Sequence, residues 1–329
     1  VLAVLTWVGV LNVEKLSMMN NGMVLGFRVA EITTIPYFEL IDKNLDRANQ
    51  INQIFFTQLL NGFYRKSADG NSALEIMFSS RQVDNQTYRA QVKMHFIIRQ
   101  MGSSEAEVEE KLDSFESSFK NEFTDNFFDI RFINSDHELE DFVKQLNSIN
   151  VSTVMSISKR EDETVSALSQ DGYVYHTFIP VPAENVNVSG ISNVLTQYPE
   201  SALIMQVIPT KFNQQELATF DYTSKFLQMF AGNMMRQMMR PDKIFQKILD
   251  AYQTYIEESN EDLYYYNFIT CSADYCAHDI ASKLVDGLED VTKEGGSSYE
   301  AIKLSLNNID LAGAFPITPW IMSNTLIYN

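Results

Sequence analysis

A chain of 329 residues with 45% hydrophobic and 12% aromatic side chains is long enough for two domains, each burying its own core, and too apolar to be disordered. Its formal net charge of −18 is spread unevenly: residues 1–100 are nearly neutral, whereas 101–200 hold six Lys/Arg against nineteen Asp/Glu. A surface this acidic repels phosphates, which excludes general nucleic-acid binding by the segment and leaves the first hundred residues as the only exception.

Two cysteines, Cys271 and Cys276, point to a reducing compartment without a disulfide framework, and with only His278 nearby a zinc site would lack ligands. The opening run VLAVLTWVGVL is about half the ~20 apolar residues a membrane span needs, so it is expected to be a buried strand. No transmembrane segment is predicted. A cytoplasmic location is expected, with any membrane association made through a larger assembly. The chain starts without an initiator Met, which fits a piece of something longer.

In chain order, Val1 to Val10 and Met23 to Ala30 are rich in β-branched residues around the turn-prone Asn20-Asn21-Gly22, and predict a hairpin or two sheet strands. Helical spacing of Ile51, Ile54, Phe55, Leu59, Leu60 and Phe63 predicts a helix over 44–64. Ser72 to Ser80 and Tyr88 to Arg99 alternate apolar and polar side chains, as antiparallel strands with one covered face do. Ser103-Ser104 offers an N-cap, with Glu105, Glu107, Glu109 and Glu110 in the turns where the helix dipole favours negative charge. A helix over 103–123 should bury Val108, Leu112, Phe115 and Phe119.

A strand at 127–133 comes next, then a short helix capped by Asp136 with Leu139, Phe142, Val143 and Leu146 as its buried stripe, then strands at 151–157 and 172–180. Residues 181–190 read as a linker, dividing an N-terminal α/β domain (1–180) from a second α/β domain (191–329). The second holds a strand at 202–208, a long helical run over 213–258 broken at Arg240-Pro241, a strand at 263–271, a helix at 275–289 and a strand at 299–306. Residues 88–157 and 202–306 repeat one order of elements. The fold class expected is therefore α+β: two ferredoxin-like units with mixed sheets and helices on one face, the second carrying an enlarged helical segment.

Catalytic signatures are not found. The four histidines His95, His137, His176 and His278 are scattered, one per element, and G-x-S-x-G, dinucleotide-loop and phosphate-loop patterns have no match. No catalytic, cofactor-binding or metal-binding residue is assigned, and no cofactor is expected. Tyr264, Tyr265 and Tyr266 alternate across a strand and are accounted for by packing. The run GNMMRQMMRPD stands apart: Met234, Met235, Met238 and Met239, with Phe226, Leu227, Met229 and Phe230, make a helix apolar over much of its circumference. Those four methionines, with Arg236 and Arg240 beside them, are the candidate partner-contact residues. For the two arginines an ion pair within or between subunits competes with a phosphate contact.

Three stretches taken together, ALIMQVIP with FNQQELATFDYTSKFLQMF, YYYNFITC with its following helix, and FPITPWIMSNTLIYN, resemble the region preceding the motor domain in HerA-type and conjugation or type IV secretion ATPases of the FtsK–HerA superfamily. The resemblance covers residues 70–329 and implies an N-terminal α/β region leading into a RecA-like, ring-forming ATPase. The Walker A and Walker B residues of that family have no counterpart here, so no nucleotide-binding residue carries over. The expectation is a non-catalytic region of a DNA- or protein-translocating ATPase that self-associates or docks a protein partner. A stand-alone structural or adaptor protein of two α/β domains is the alternative, and a carboxylate enzyme working in the cleft between the halves is the third reading.

Overall fold

The computed structural model describes residues 16–18, 22–34, 58–65, 71–84, 89–125, 129–147, 153–159, 181–182, 191–211, 214–236, 249–250, 253, 256–257, 263–288, 299–303 and 326–328. The fold is α+β. Its strands are β1 (Leu16–Met18), β2 (Val24–Thr34), β3 (Ser72–Asp84), β4 (Arg89–Gly102), β5 (Asp129–Phe132), β6 (Thr153–Lys159), β7 (Val181–Pro182), β8 (Ser201–Thr210), β9 (Leu263–Ser272), β10 (Tyr299–Lys303) and β11 (Leu326–Tyr328). The helices are α1 (residues 58–65), α2 (Glu105–Asp125), α3 (Asp136–Asn147), α4 (Ile191–Gln197), α5 (Gln214–Arg236) and α6 (Asp274–Leu288).

Instead of two sheets, the described residues build one sheet of eleven strands, antiparallel at every described pairing except β7 with β11. Its centre divides into two halves of identical order. One is β5-β2-β4-β3 and the other is β10-β6-β9-β8, and each takes its four strands in the sequence fourth, first, third, second. The halves join where β3 and β8 pair antiparallel, from Leu74 opposite Val207 to Ser80 opposite Ser201. They join because neither strand has a second partner within its own half, and pairing satisfies backbone groups that would otherwise be buried without one.

The 181–190 boundary does not divide this sheet. β6, which precedes it, lies between β9 and β10, which follow it, and β7 within it pairs with β11. Pairing with β9 and β10 satisfies the backbone groups along both edges of β6. The repeat therefore relates β2 through β5 to β6 through β10, not 88–157 to 202–306. The strand expected to pair with β2, Val1 to Val10, lies outside the described residues; β1 pairs there, with Leu16 opposite Gly26.

Local signals set the helices. Ser104 caps α2, its Oγ accepting from the Glu107 N–H at 3.3 Å, while the Ser103 N–H and hydroxyl donate to the Glu107 carboxylate at 2.9 and 2.7 Å. Val108, Leu112, Phe115 and Phe119 are buried, as their spacing predicts. For α3 the cap is Ser135 and not Asp136: Ser135 Oγ accepts from the Glu138 N–H at 3.3 Å, and its carbonyl accepts from the Leu139 N–H at 3.0 Å. Asp136 sits one position later, in the first turn. Leu139 and Phe142 of α3 are buried; the side chains of Val143 and Leu146 lie outside the described residues.

Helices do not keep to one face. Residues of α1, α2, α4 and α6 pack with Leu74, Phe96, Met205 and Tyr264 on one side of the sheet. On the other, Leu139 and Phe142 of α3 join a cluster with Phe27, Met77, Ile97, Ile204 and Cys271. Contacts of α1 cross the seam: the Tyr264 hydroxyl donates to the Leu60 carbonyl at 2.7 Å, and the Tyr64 hydroxyl to the Thr210 carbonyl at 3.0 Å.

Candidate functional site

The outer face of α5 carries the largest apolar display among the described residues. Tyr222 is 72% exposed, Phe226 39% and Met229 65%. Their spacing of four and three residues puts them on one side of the helix, opposite Ser224, Leu227 and Ala231, which are buried. Beside the stripe lies an open hollow of about 690 Å³ lined by Lys225, Gln228, Met229, Gly232, Asn233 and Arg236. Lys225 Nζ pairs with Asp221 Oδ2 at 2.6 Å, so the fringe of the stripe is polar and partly charge-compensated.

Of the candidate partner-contact residues, Arg236 lies exposed in the last turn of α5 and lines this hollow. Met234 and Met235 lie in the same helix, and their side chains are outside the described residues, as are Met238, Met239 and Arg240 altogether. Sequence reasoning had counted Phe226 and Met229 toward the apolar circumference. It missed that with Tyr222 they form a separate outward stripe, because Ser224, the polar residue among them, is buried on the opposite side.

A second constellation lies inside the molecule. Arg99 of β4, Glu75 of β3, Gln206 of β8 and Asn267 of β9 form a buried polar row across the four central strands. Gln206 Nε2 donates to Glu75 Oε1 at 2.8 Å, and Asn267 Nδ2 donates to Gln206 Oε1 at 2.8 Å. Arg99 Nε stands 3.2 Å from Glu75 Oε1, close enough for an ion pair though too oblique for a hydrogen bond. At Glu75 and Arg99 the polar side of these two strands is thus covered, whereas Gln91 and Lys93 on the same face of β4 reach water. Fully buried, the row has no route for a substrate. It fixes register across the seam, because a slip of one residue would set Glu75 among apolar side chains of the opposite face.

A third cluster surrounds His95 where α3 covers β2, β4 and β5. Glu31 accepts from Lys93 Nζ at 3.0 Å and from Arg131 Nη2 at 2.9 Å, and Arg131 Nη1 reaches Glu138 at 2.5 Å. Partial burial works against the Glu31 carboxylate, but the bonds from Arg131 and Lys93 outweigh it and hold its pKa below the ordinary value. The His95 ring packs 4.6 Å from that of Phe142, and its Nδ1 has no hydrogen-bond partner among the described residues. Burial pushes its pKa down to about 4, against the pull of Glu31, so the ring is neutral at physiological pH.

The remaining sequence candidates are dispersed. Cys271 belongs to the α3 side of the sheet and Cys276 to the opposite core, so the two thiols cannot share a metal. Burial pushes the Cys271 thiol up to about 12, which leaves it inert. His137 is exposed and pairs with Asp141 at 3.2 Å; His278 is exposed on α6; His176 lies outside the described residues. Among the described residues no group of three or more His, Cys, Asp or Glu is placed to hold a metal ion, and no helix is long and apolar enough to cross a membrane. Comparison with protein-family models and with curated proteins gives no match.

Proposed function

We propose that this chain is the non-catalytic assembly and docking region of a ring-forming, DNA- or protein-translocating ATPase of the FtsK–HerA type, built from two ferredoxin-like units. The observation that carries the docking role is the outward stripe of Tyr222, Phe226 and Met229 on α5. Three large apolar side chains on one helix face, with Lys225 and Arg236 at their margin, suit an apolar partner surface fringed by carboxylates. Flexible methionine at the centre suits a contact that must adapt as a motor changes shape. The link to the ATPase is supported by the element order of residues 70–329, which resembles the region preceding the motor.

Two experiments test this. The coding sequence beyond Asn329 is expected to continue in frame into a G-x4-G-K-[ST] loop; a stop codon directly after Asn329 would exclude the ATPase link and favour a stand-alone adaptor. Phe226→Asp with Met229→Asp is expected to abolish binding of the chain to its motor while leaving the circular dichroism spectrum unchanged. Unchanged binding would remove α5 as the docking face.

A further inference from the structure

The two ends of the sheet are complementary to each other. Among the described residues β5 pairs only with β2, and β10 only with β6. An even number of antiparallel strands separates them, so β5 and β10 run in opposite directions. If a second copy of the chain, in the same orientation, is placed beside the first, its β5 meets β10 antiparallel, in continuation of the ladder.

Side-chain alternation then fixes the register. Ile130 and Phe132 lie on the α2 side of the sheet, packed with the core that also takes in Ala301, whereas Arg131 follows Glu31 onto the α3 side. Through Ser156, which alternates with Met155 and Ile157 of the α2-side core, Ile302 also lies on the α3 side. With matching faces, the register that gives all four residues of β5 a partner sets Asp129 opposite Ile302, Ile130 opposite Ala301, Arg131 opposite Glu300 and Phe132 opposite Tyr299. It sets positions of opposite charge, two aliphatic positions and two aromatic positions opposite each other along the two backbones. Arg131 is half exposed even with Glu31 and Glu138 bound, so its guanidinium is accessible from the edge.

We infer that the chain self-associates head to tail by adding the β5 edge of one copy to the β10 edge of the next. The inference rests on the assembly role proposed above and specifies its interface. The contact is heterologous, joining two different surfaces, so repeated addition closes into a ring or grows as a filament and does not stop at a dimer. The motif is strand addition at an exposed edge, in which main-chain hydrogen bonds supply affinity and alternate side chains supply register.

The test is a cysteine pair in the full chain. Asp129→Cys with Ile302→Cys, oxidised and run without reductant, is expected to give a ladder of covalent oligomers. Either substitution alone is expected to give monomer, because the native Cys271 and Cys276 are buried. Covalent dimers from one substitution alone would mean that like edges pair, and no cross-link from the double variant would mean that these edges do not meet; either overturns the inference. In light scattering over a dilution series, Glu300→Arg is expected to raise the concentration needed for assembly roughly fivefold. Ala301→Pro, tolerated on an edge strand, is expected to raise it further. Assembly indifferent to both but lost in Phe226→Asp would overturn the edge contact and leave α5 docking intact. A β5–β10 ladder without an in-frame motor would overturn the ATPase reading alone.

Discussion

Gln206 and Glu75 meet across the seam of the two halves, the amide Nε2 donating to the carboxylate at 2.8 Å where both side chains are fully buried. Arg99 on one side and Asn267 on the other complete a chain of polar contacts in which a buried anion has both a cation and a hydrogen-bond donor. Removing one member is more costly than removing the pair. Glu75→Ala leaves the Arg99 charge buried without its carboxylate and is expected to destabilise the protein by about 3–5 kcal/mol. Glu75→Leu combined with Arg99→Met is expected to come within about 1–2 kcal/mol of the parent. Urea unfolding followed by tryptophan fluorescence separates the two cases, and equal losses in both variants would show that the row contributes no specific pairing.

His95 makes stability depend on pH in a window set by its burial. Its folded pKa of about 4 lies below the ordinary value of 6.5, so the unfolded chain takes up a proton before the folded one does. The contribution is fully present above pH 6.5 and is lost as pH falls through the folded value, on the order of 3 kcal/mol in all. His95→Phe is expected to flatten the stability profile between pH 6.5 and 4. The Glu31 carboxylate adds a loss with the same sign but at lower pH, since its pKa is depressed from the carboxylate value. A parent profile flat from pH 7 to 4.5 in chemical denaturation would contradict a neutral buried ring.

The two sides of α5 should respond differently to truncation. Leu227→Ala empties a buried position and is expected to cost about 2–5 kcal/mol. Met229→Ala, two residues on and on the exposed side, is expected to change stability by less than about 0.5 kcal/mol. Thermal melts of both variants give the comparison. A melting temperature as low for Met229→Ala as for Leu227→Ala would show that the stripe is covered within the chain and is not a docking surface.

Much of the fold could be read from the sequence, for reasons visible in particular residues. Val108, Leu112, Phe115 and Phe119 repeat at helical spacing and all face the core, because a helix with one apolar side buries that side wherever it packs. Strand pairing was less accessible. ALIMQVI is apolar enough on both faces to suit any interior position, SALEIMFSS reads as a strand with one covered face, and nothing local says that β3 should choose β8, more than a hundred residues away. Glu75 and Gln206 were the only hints, and each alone resembles the solvent side of an amphipathic strand. The cap at Ser135 was missed for a different reason: two good capping residues, Ser135 and Asp136, are adjacent, and only the backbone geometry decides between them. In the candidate contact region, methionine density drew attention to residues 234–239, while the exposed stripe begins at Tyr222, where no composition bias marks it.

Gly102 ends β4 where the chain turns into α2. A Cβ there would lie 2.8 Å from Val108 Cγ2 and 3.2 Å from Glu107 Oε2, the carboxylate that bonds Ser103. Because Val108 is fully buried it cannot yield, and Gly102→Val is expected to cost about 1–3 kcal/mol by overpacking and by loosening the start of α2. Gly22→Ala, strained by a φ of +80° but with nothing within 4 Å of its Cβ, is the comparison. It isolates backbone strain from crowding, and a larger loss there than at Gly102 would argue against the steric account.

The seam also has a mechanical consequence. A tension applied along the strands to one half, with the other half held, loads the seven residue pairs between Leu74–Ser80 and Ser201–Val207 in shear, so that their hydrogen bonds must fail together and not one by one. The halves thus behave as a single stiff beam. A pull across the strands would instead peel the ladder from one end, beginning at Ser80 and Ser201 or at Leu74 and Val207, and would separate the halves at far lower force.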